Sequence, residues 1–470
     1  MRSRFAGKLI GALTSAAVLA GAVGAVPVSA QEGLDEDTLE FVDAMGAGWN
    51  LGNTLDAHGN WASGVDTETC WGVPKTTKAM IEAVHDAGFE TIRIPVSWAQ
   101  HVDSSYKIDQ AFMARVKEVV DYAYDEGMYV ILNVHHDEST DYESINGMGY
   151  YPDSEHREKS LTYLTNVWQQ ISETFKDYDE SLIFETLNEP RLCGTQYEWS
   201  SPRWVSDQPL IESCEIINTF NQEIVNVIRK SGGENATRRI MCPGYAASAD
   251  SAIADVYKLP TDPISTNQHK IMVSTHAYTP YDLCLASDKD KMKYQLDDNG
   301  RSQIDGVFSE LYNKFIKNGT AVIMGECGVT FKNNQSECDA WASYYYTQAE
   351  KYDIPAVLWD NNVRSNPDGP GECHQHFDRS SLTWADPTFI KAIMDTVVQD
   401  TEPDKEGLPG DADENGDVNI NDVLIIQQFI AEWKVTVNEE NCDVNNDGKI
   451  NINDVLLIQQ YIAEWDVELI

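Results

Sequence analysis

The chain is 470 residues long and carries 76 Asp plus Glu against 34 Lys plus Arg, a formal net charge of −42 at pH 7. A surface of that sign excludes nucleic acid and would repel acidic polysaccharides, which leaves a neutral polymer as the natural partner. The length exceeds one ordinary domain. The nine cysteines lack CxxC spacing, so they predict no thiolate metal site, and their odd number leaves at least one unpaired thiol.

Residues 1–30 open with Arg2, Arg4 and Lys8, run on as an apolar and small-residue stretch from Leu9 to Val26, and close on Val28-Ser29-Ala30. This is the layout of a secretory signal peptide cleaved after Ala30. A retained membrane anchor is the alternative, and the richness of the run in Ala and Gly speaks against it. From 31 to 399, apolar strand-like runs alternate with amphipathic helical stretches, the pattern of an α/β fold with a parallel sheet. Strands are predicted at 47–51, 91–96, 129–136, 182–188, 239–243, 271–278, 321–326 and 356–360, with helices at 77–86, 109–125, 157–175 and 304–317. Such a succession of βα units fits a (β/α)8 TIM barrel with enlarged loops. A doubly wound open sheet is the runner-up, but no glycine-rich phosphate loop follows the first strand.

The strands end in residues that suit a sugar: GWNLGNTLDA (48–57), RIPVSW (93–98), NVHHD (133–137), LNEP (187–190), THAY (275–278), GECG (325–328) and LWDN (358–361). A barrel gathers such ends on one face. Among them, Glu189 and Glu326 each close an apolar run. Glycosidic hydrolysis needs two carboxyl groups, one to protonate the leaving oxygen and one to trap the charge that develops on the sugar. Trp49 is expected in the core. Trp61, Trp71, Trp199 and Trp204 sit in loop-like surroundings as candidates for outer sugar sites, and Cys327, directly after Glu326, is read as packing.

Residues 400–409 have the Pro, Gly and charge content of a short exposed linker. Beyond it, 411–433 and 443–465 repeat one another. Each copy opens with a loop carrying oxygen side chains at fixed spacing: Asp411, Asp413, Asn415, Asn419 and Asp422, then Asp443, Asn445, Asp447, Asn451 and Asp454. A hard cation needs about six to eight oxygens, and this spacing wraps one calcium ion per loop, with backbone carbonyls from Asp417 and Lys449. Each loop is followed by an apolar stripe at helical spacing, Val423, Leu424, Ile426, Gln427, Ile430 and Val455, Leu456, Ile458, Gln459, Ile462. A single copy cannot bury its apolar face, so the two are expected to pack together with calcium contributing to the folding free energy.

On these motifs, residues 410–470 resemble a type I dockerin, the all-α module by which secreted polysaccharide-degrading enzymes attach to cohesin modules of a scaffolding protein. The resemblance implies that Ile420, Asn421, Ile452 and Asn453 face the cohesin. Because both copies carry the same Ile-Asn pair, either repeat is expected to engage the partner. A calcium-stabilised tail without docking is the alternative.

The barrel motifs, taken together, resemble glycoside hydrolase family 5, most closely its endoglucanase branch usually called subfamily four. The resemblance implies a retaining enzyme acting on β-1,4-glucans, including mixed-linkage glucan and xyloglucan, with no cofactor for catalysis. It implies Glu189 as acid/base, protonated at rest, and Glu326 as ionised nucleophile. Tyr278 would hydrogen-bond the nucleophile with His276 beside it, Asn188 would hold the sugar 2-hydroxyl, His135 and His136 would line the same subsite, and Trp359 would floor it. Arg93 is the group expected to hold Glu326 ionised. A mannanase or xylanase on the same barrel, or a non-catalytic carbohydrate-binding subunit, remain as rivals.

Overall fold

The computed structural model describes residues 33–138, 148–264, 269–288, 290–365 and 371–397, then 408–412, 418–431, 433, 435, 437–445, 449–463, 467 and 469. The expected signal peptide lies outside the described residues, as does most of the expected linker.

Eight parallel strands close into a barrel in sequential order: β1 (Gly48–Asn50), β2 (Thr91–Ile94), β3 (Tyr129–Asn133), β4 (Leu182–Glu185), β5 (Ile240–Ser248), β6 (Ile271–His276), β7 (Val322–Cys327) and β8 (Ala356–Leu358). All eight strand segments read from the sequence are strands here, because a parallel strand buried on both faces appears as a continuous apolar run. The expected doubly wound rival is excluded by closure. Outer helices follow the strands, among them Lys78–His85, Gln110–Asp125, Arg157–Thr174, Gln208–Lys230, Asp298–Lys314, Gln335–Lys351 and Pro387–Val397. After β5 the helix shrinks to Ala249–Ile253.

Local chemistry starts these helices where they start. Asp109 accepts hydrogen bonds from the backbone N–H groups of Ala111 and Phe112, and Asp297 caps Asp298–Lys314 through Gly300. That second cap moves the helix start upstream of the predicted 304, since its first turn, Asp298 to Arg301, lacks an apolar stripe. Gln208–Lys230 has Pro209 in its first turn, where the missing N–H costs nothing, and buries Leu210, Ile217, Phe220, Ile224 and Ile228. The barrel and its helices share one continuous core that includes Trp49, Trp98, Trp168 and Trp341.

The C-terminal part forms a separate small core around helices Ile420–Ile430 and Ile452–Ile462, built from Ala412, Val423, Ile426, Cys442, Val444, Val455 and Ile458. Only part of each predicted stripe packs. Leu424, Ile430, Leu456 and Ile462 stay exposed, because two short helices facing each other cover one flank of each and leave the other open. Among the described residues, no helix is long and apolar enough to cross a membrane.

Candidate active site

Strand register brings the polar ends together. Asn50 pairs with Arg93 across β1 and β2, Asn133 with Glu185 across β3 and β4, and His276 with Glu326 across β6 and β7. Arg93 is fully buried and spends its guanidinium on four partners. Nε donates to Glu185 at 2.8 Å, Nη1 to Asn50 Oδ1 at 3.0 Å and to Glu326 Oε1 at 2.8 Å, and Nη2 to Asn188 Oδ1 at 2.8 Å. Burial disfavours its charge, but Glu185 and Glu326 outweigh that and raise its pKa further. Tyr278 Oη donates to the other oxygen of Glu326 at 2.9 Å. Burial and the neighbouring carboxylates push the Tyr278 phenol well above its usual range, so it stays a donor.

Glu189 follows β4 and meets a different set of groups. His276 Nδ1 lies 2.8 Å from its Oε1, and Arg191 Nη1 lies 3.6 Å from its Oε2. Burial raises the pKa of Glu189, but the His276 hydrogen bond and the charges of His276 and Arg191 carry it below the ordinary value. For His276 the balance is the mirror image: burial lowers its pKa, and Glu326 and Glu189 raise it by more. Both directions favour the shared proton on His276, where the expectation placed it on Glu189. One oxygen of Glu189, one of Glu326 and a ring nitrogen of His276 all lie within 4.8 Å of one another.

A cavity of about 480 Å³ opens over this pair, and its lining includes His135, His136, Asn188, Tyr278 and Trp359. Asn133 Nδ2 lies 3.1 Å from His135 Nδ1 and also donates to Glu185. An amide nitrogen only donates, so His135 must accept at Nδ1 and carry its proton on Nε2. Burial keeps His135 neutral and pushes His136 down to about 3. Trp359 lies parallel to the His135 ring at 5.9 Å. Trp71 and Trp199 line the cavity, whereas Trp61 and Trp204 are exposed outside its lining and Trp49 is in the core.

Sequence reading missed several members of the site. Glu185 is fully buried and had a signal, a lone acid inside the apolar run LIFETL. Arg191 directly follows the Asn-Glu-Pro motif; it donates to Glu138 at 2.9 Å and stacks over Trp199 at 4.2 Å. Glu372 and His374 reach the cavity from the loop after β8, where no local pattern marks them. Cys327 is buried against Val357 and Tyr346 with its thiol pushed up to about 12 by burial, as expected of a packing residue. Cys70, Cys193, Cys214, Cys242, Cys284, Cys327, Cys338 and Cys373 are free thiols.

In the C-terminal module, Asp413, Asn415, Asp417 and Asp447 lie outside the described residues. The rest of the donor set is present and consists of hard oxygens. Asp422 and Asp454 are fully buried at the start of their helices. Asp422 accepts from the N–H groups of Ala412 and Asn419, and Asp454 from the N–H of Asn451 and the amide of Asn445. Asp411 is buried beside them, and Asp443 opens the second loop. Lys449 contributes its backbone oxygen, which accepts from Asn451 Nδ2 at 3.0 Å. Carboxylate and amide oxygens at these loop positions fit a divalent cation of the calcium type. Asn419 and Asn451 use their side-chain oxygens to cap the helices, bonding the N–H groups of Asn421 and Asn453. This agrees with the water-mediated ligation common at the ninth position of such loops. Ile420 and Ile452 are each 62% exposed, and Asn421 and Asn453 are exposed beside them.

Comparison with known proteins agrees with both halves. Residues 55–365 match the cellulase family, glycosyl hydrolase family 5, and residues 409–463 match the dockerin type I domain. Endoglucanase A of Clostridium longisporum is 39% identical over 79% of this chain and 68% of its own length. Endoglucanase B of Clostridium cellulovorans is 36% identical over 87% of both chains. Some relatives are longer, and this chain spans 47% of one of them. Among solved structures, a GH5-4 broad specificity endoglucanase from Ruminococcus flavefaciens superposes with a TM-score of 0.68 at 41% identity, over 76% of this chain and 98% of that one. Type I dockerins bind calcium and mark enzymes of the extracellular, cellulosome-associated class. The chain belongs to glycoside hydrolase family 5 and carries a type I dockerin domain.

Proposed function

We propose that this protein is a secreted endo-β-1,4-glucanase, in which Glu189 is the acid/base and Glu326 the nucleophile of a retaining double displacement. The observation that carries the reading is the separation of the pair. Carboxyl oxygens within 4.8 Å suit direct attack at the anomeric carbon, whereas an inverting pair stands about 6.5–9.5 Å apart to admit a water.

In this reading Arg93 and Tyr278 hold Glu326 as a carboxylate facing the sugar. Arg93 also fixes the Asn188 oxygen, which turns the amide N–H groups toward the 2-hydroxyl. His135 presents Nε2–H, and Trp359 stacks under the ring. When a glucan strand fills the cleft, water leaves Glu189, its charged form loses solvation, and the proton on His276 moves across their 2.8 Å contact to the carboxyl. Glu189 then protonates the leaving oxygen while Glu326 bonds to the anomeric carbon. Water hydrolyses the glycosyl ester with Glu189 as base, and the proton returns to the Glu189 and His276 pair.

Residues 31–399 form the catalytic domain, 400–409 the linker and 410–470 the dockerin. The dockerin takes two calcium ions and docks a cohesin through Ile420, Asn421, Ile452 and Asn453, and residues 1–30 direct export. The experiment is reducing-end release by the mature protein on β-glucan, carboxymethylcellulose, xyloglucan, glucomannan, mannan and xylan, beside Glu326→Gln. Glucan activity that vanishes in the variant is the expected result. Activity confined to mannan or xylan would overturn the substrate class, and inactivity on every polymer would overturn the enzymatic reading.

A further inference from the structure

We infer that Glu185 is a positioning residue that sets the pH range of the catalytic pair by anchoring Arg93 and His276 from below. The inference rests on the reading of Glu189 and Glu326 as acid/base and nucleophile. Glu185 ends β4, is fully buried and is absent from the cavity lining, so a sugar in the cleft does not touch it.

Three other strands each spend a donor on this one side chain. Arg93 Nε donates from β2 at 2.8 Å, Asn133 Nδ2 from β3 at 2.9 Å, and Ser274 Oγ from β6. A pocket made only of donors is built for a carboxylate. Clamping Nε leaves Nη1 of Arg93 aimed at Glu326 and Nη2 at Asn188.

The second cation is His276. Its Nδ1 contacts Glu189, while its Nε2 is buried without a hydrogen-bond partner and faces Glu185 Oε1 at 4.0 Å. Gly325 makes that approach possible. A Cβ on residue 325 would stand 3.2 Å from His276 Nε2 and 3.4 Å from Glu185 Oε1. Glu185 thus sits between the two cations on the side away from the cleft, while Glu326 and Glu189 meet the same cations from the cleft side.

The other titratable groups around the cluster are His135, His136 and Glu138 at and after the end of β3, Arg191 after β4, Cys242 in β5, Tyr278 after β6 and Glu372 after β8. The histidines are kept neutral, the cysteine and tyrosine are held protonated, Arg191 is a cation, and burial raises the two acids, Glu138 and Glu372. Removing the charge of Glu185 therefore makes the cluster more positive. That disfavours every proton bound in it, so the ionisation of Glu326 and the deprotonation of the Glu189 and His276 pair both move to lower pH.

The test is the pH profile of kcat/KM on soluble β-glucan for Glu185→Gln. Gln keeps the shape, and its amide can donate to Ser274 Oγ, which is able to accept. Both limbs are expected to move to acid by about one pH unit, with kcat/KM at the original optimum falling about threefold. Ser274→Ala removes one hydrogen bond to Oε1 without removing charge and should move the limbs the same way by less. A folded Glu185→Gln enzyme whose limbs stay in place, whatever its kcat, overturns the inference. If Glu185→Gln does not fold, unmoved limbs in Ser274→Ala do so. Glu326→Gln and Glu189→Gln run alongside separate the two readings. Full activity in those variants sinks the catalytic assignment, whereas their inactivity with an unmoved profile sinks only the role of Glu185.

Discussion

The barrel and the dockerin both bury acidic side chains, and they neutralise them by opposite means. In the barrel, protein cations from distant parts of the chain do it: Arg93 reaches Glu326 across 233 residues of sequence, and His276 reaches Glu189 across 87. In the dockerin, Asp422 and Asp454 are met by backbone N–H groups within ten residues or fewer, and by the Asn445 amide nine residues away. Such neutral donors offset only part of the cost of a buried carboxylate. The barrel site is complete once the chain has folded, whereas the C-terminal module is of a type that binds calcium.

The sharpest way to break the comparison is to remove the barrel's own cation. Arg93→Met removes the cation that Glu185 and Glu326 share. Hydrolysis is expected to fall about 10³-fold, and the barrel to lose roughly 3–5 kcal/mol of stability, read by denaturant titration. Near-wild-type activity in this variant would mean that the buried acids tolerate each other. Chelation should do the reverse. It is expected to abolish cohesin binding, measured by surface capture, and to unfold the C-terminal module while glucan hydrolysis stays within about twofold. Loss of hydrolysis on chelation would place a required ion in the barrel.

Smaller effects sharpen the contrast. If either repeat can face the partner, charge-reversing changes at Ile420 and Asn421 alone, or at Ile452 and Asn453 alone, should weaken cohesin binding by no more than about tenfold. The combined variant should lose it, because a charge driven into an apolar contact costs several kcal/mol. Abolition by each single-repeat variant would instead show that both copies are used at once. Smallest of all, a bulky thiol reagent should leave activity unchanged. Cys327 is buried, and its thiol, pushed up to about 12, offers almost no thiolate to attack.

The legible parts were those in which adjacent residues carry the whole signal. Strand runs such as LIFET and AVIMG declare themselves because a barrel strand is apolar on both faces, and the dockerin loops declare themselves because their oxygens lie within one twelve-residue turn of chain. Helices were read less completely. Gln208–Lys230 and Gln335–Lys351 were not predicted, since a long loop precedes the first and the second carries four Tyr and Trp residues that break a simple aliphatic stripe. The two glutamates could be picked out from strand ends, yet the contact of Glu189 with His276 could not be read, because they lie 87 residues apart and only strand register brings them together.

By itself, then, the chain's order of residues determined that there would be a parallel barrel followed by a paired loop-helix module, and which two glutamates stand at strand ends. These follow from patterns with short periods, local sterics and local hydrogen bonding. Tertiary structure alone decided that Glu185 anchors Arg93, that Gly325 leaves room for His276 above it, that Arg191 joins Glu189 to Trp199, and that half of each dockerin stripe remains open. Those outcomes depend on barrel closure and helix pairing, which place side chains within a few ångströms of one another across separations that no local pattern records.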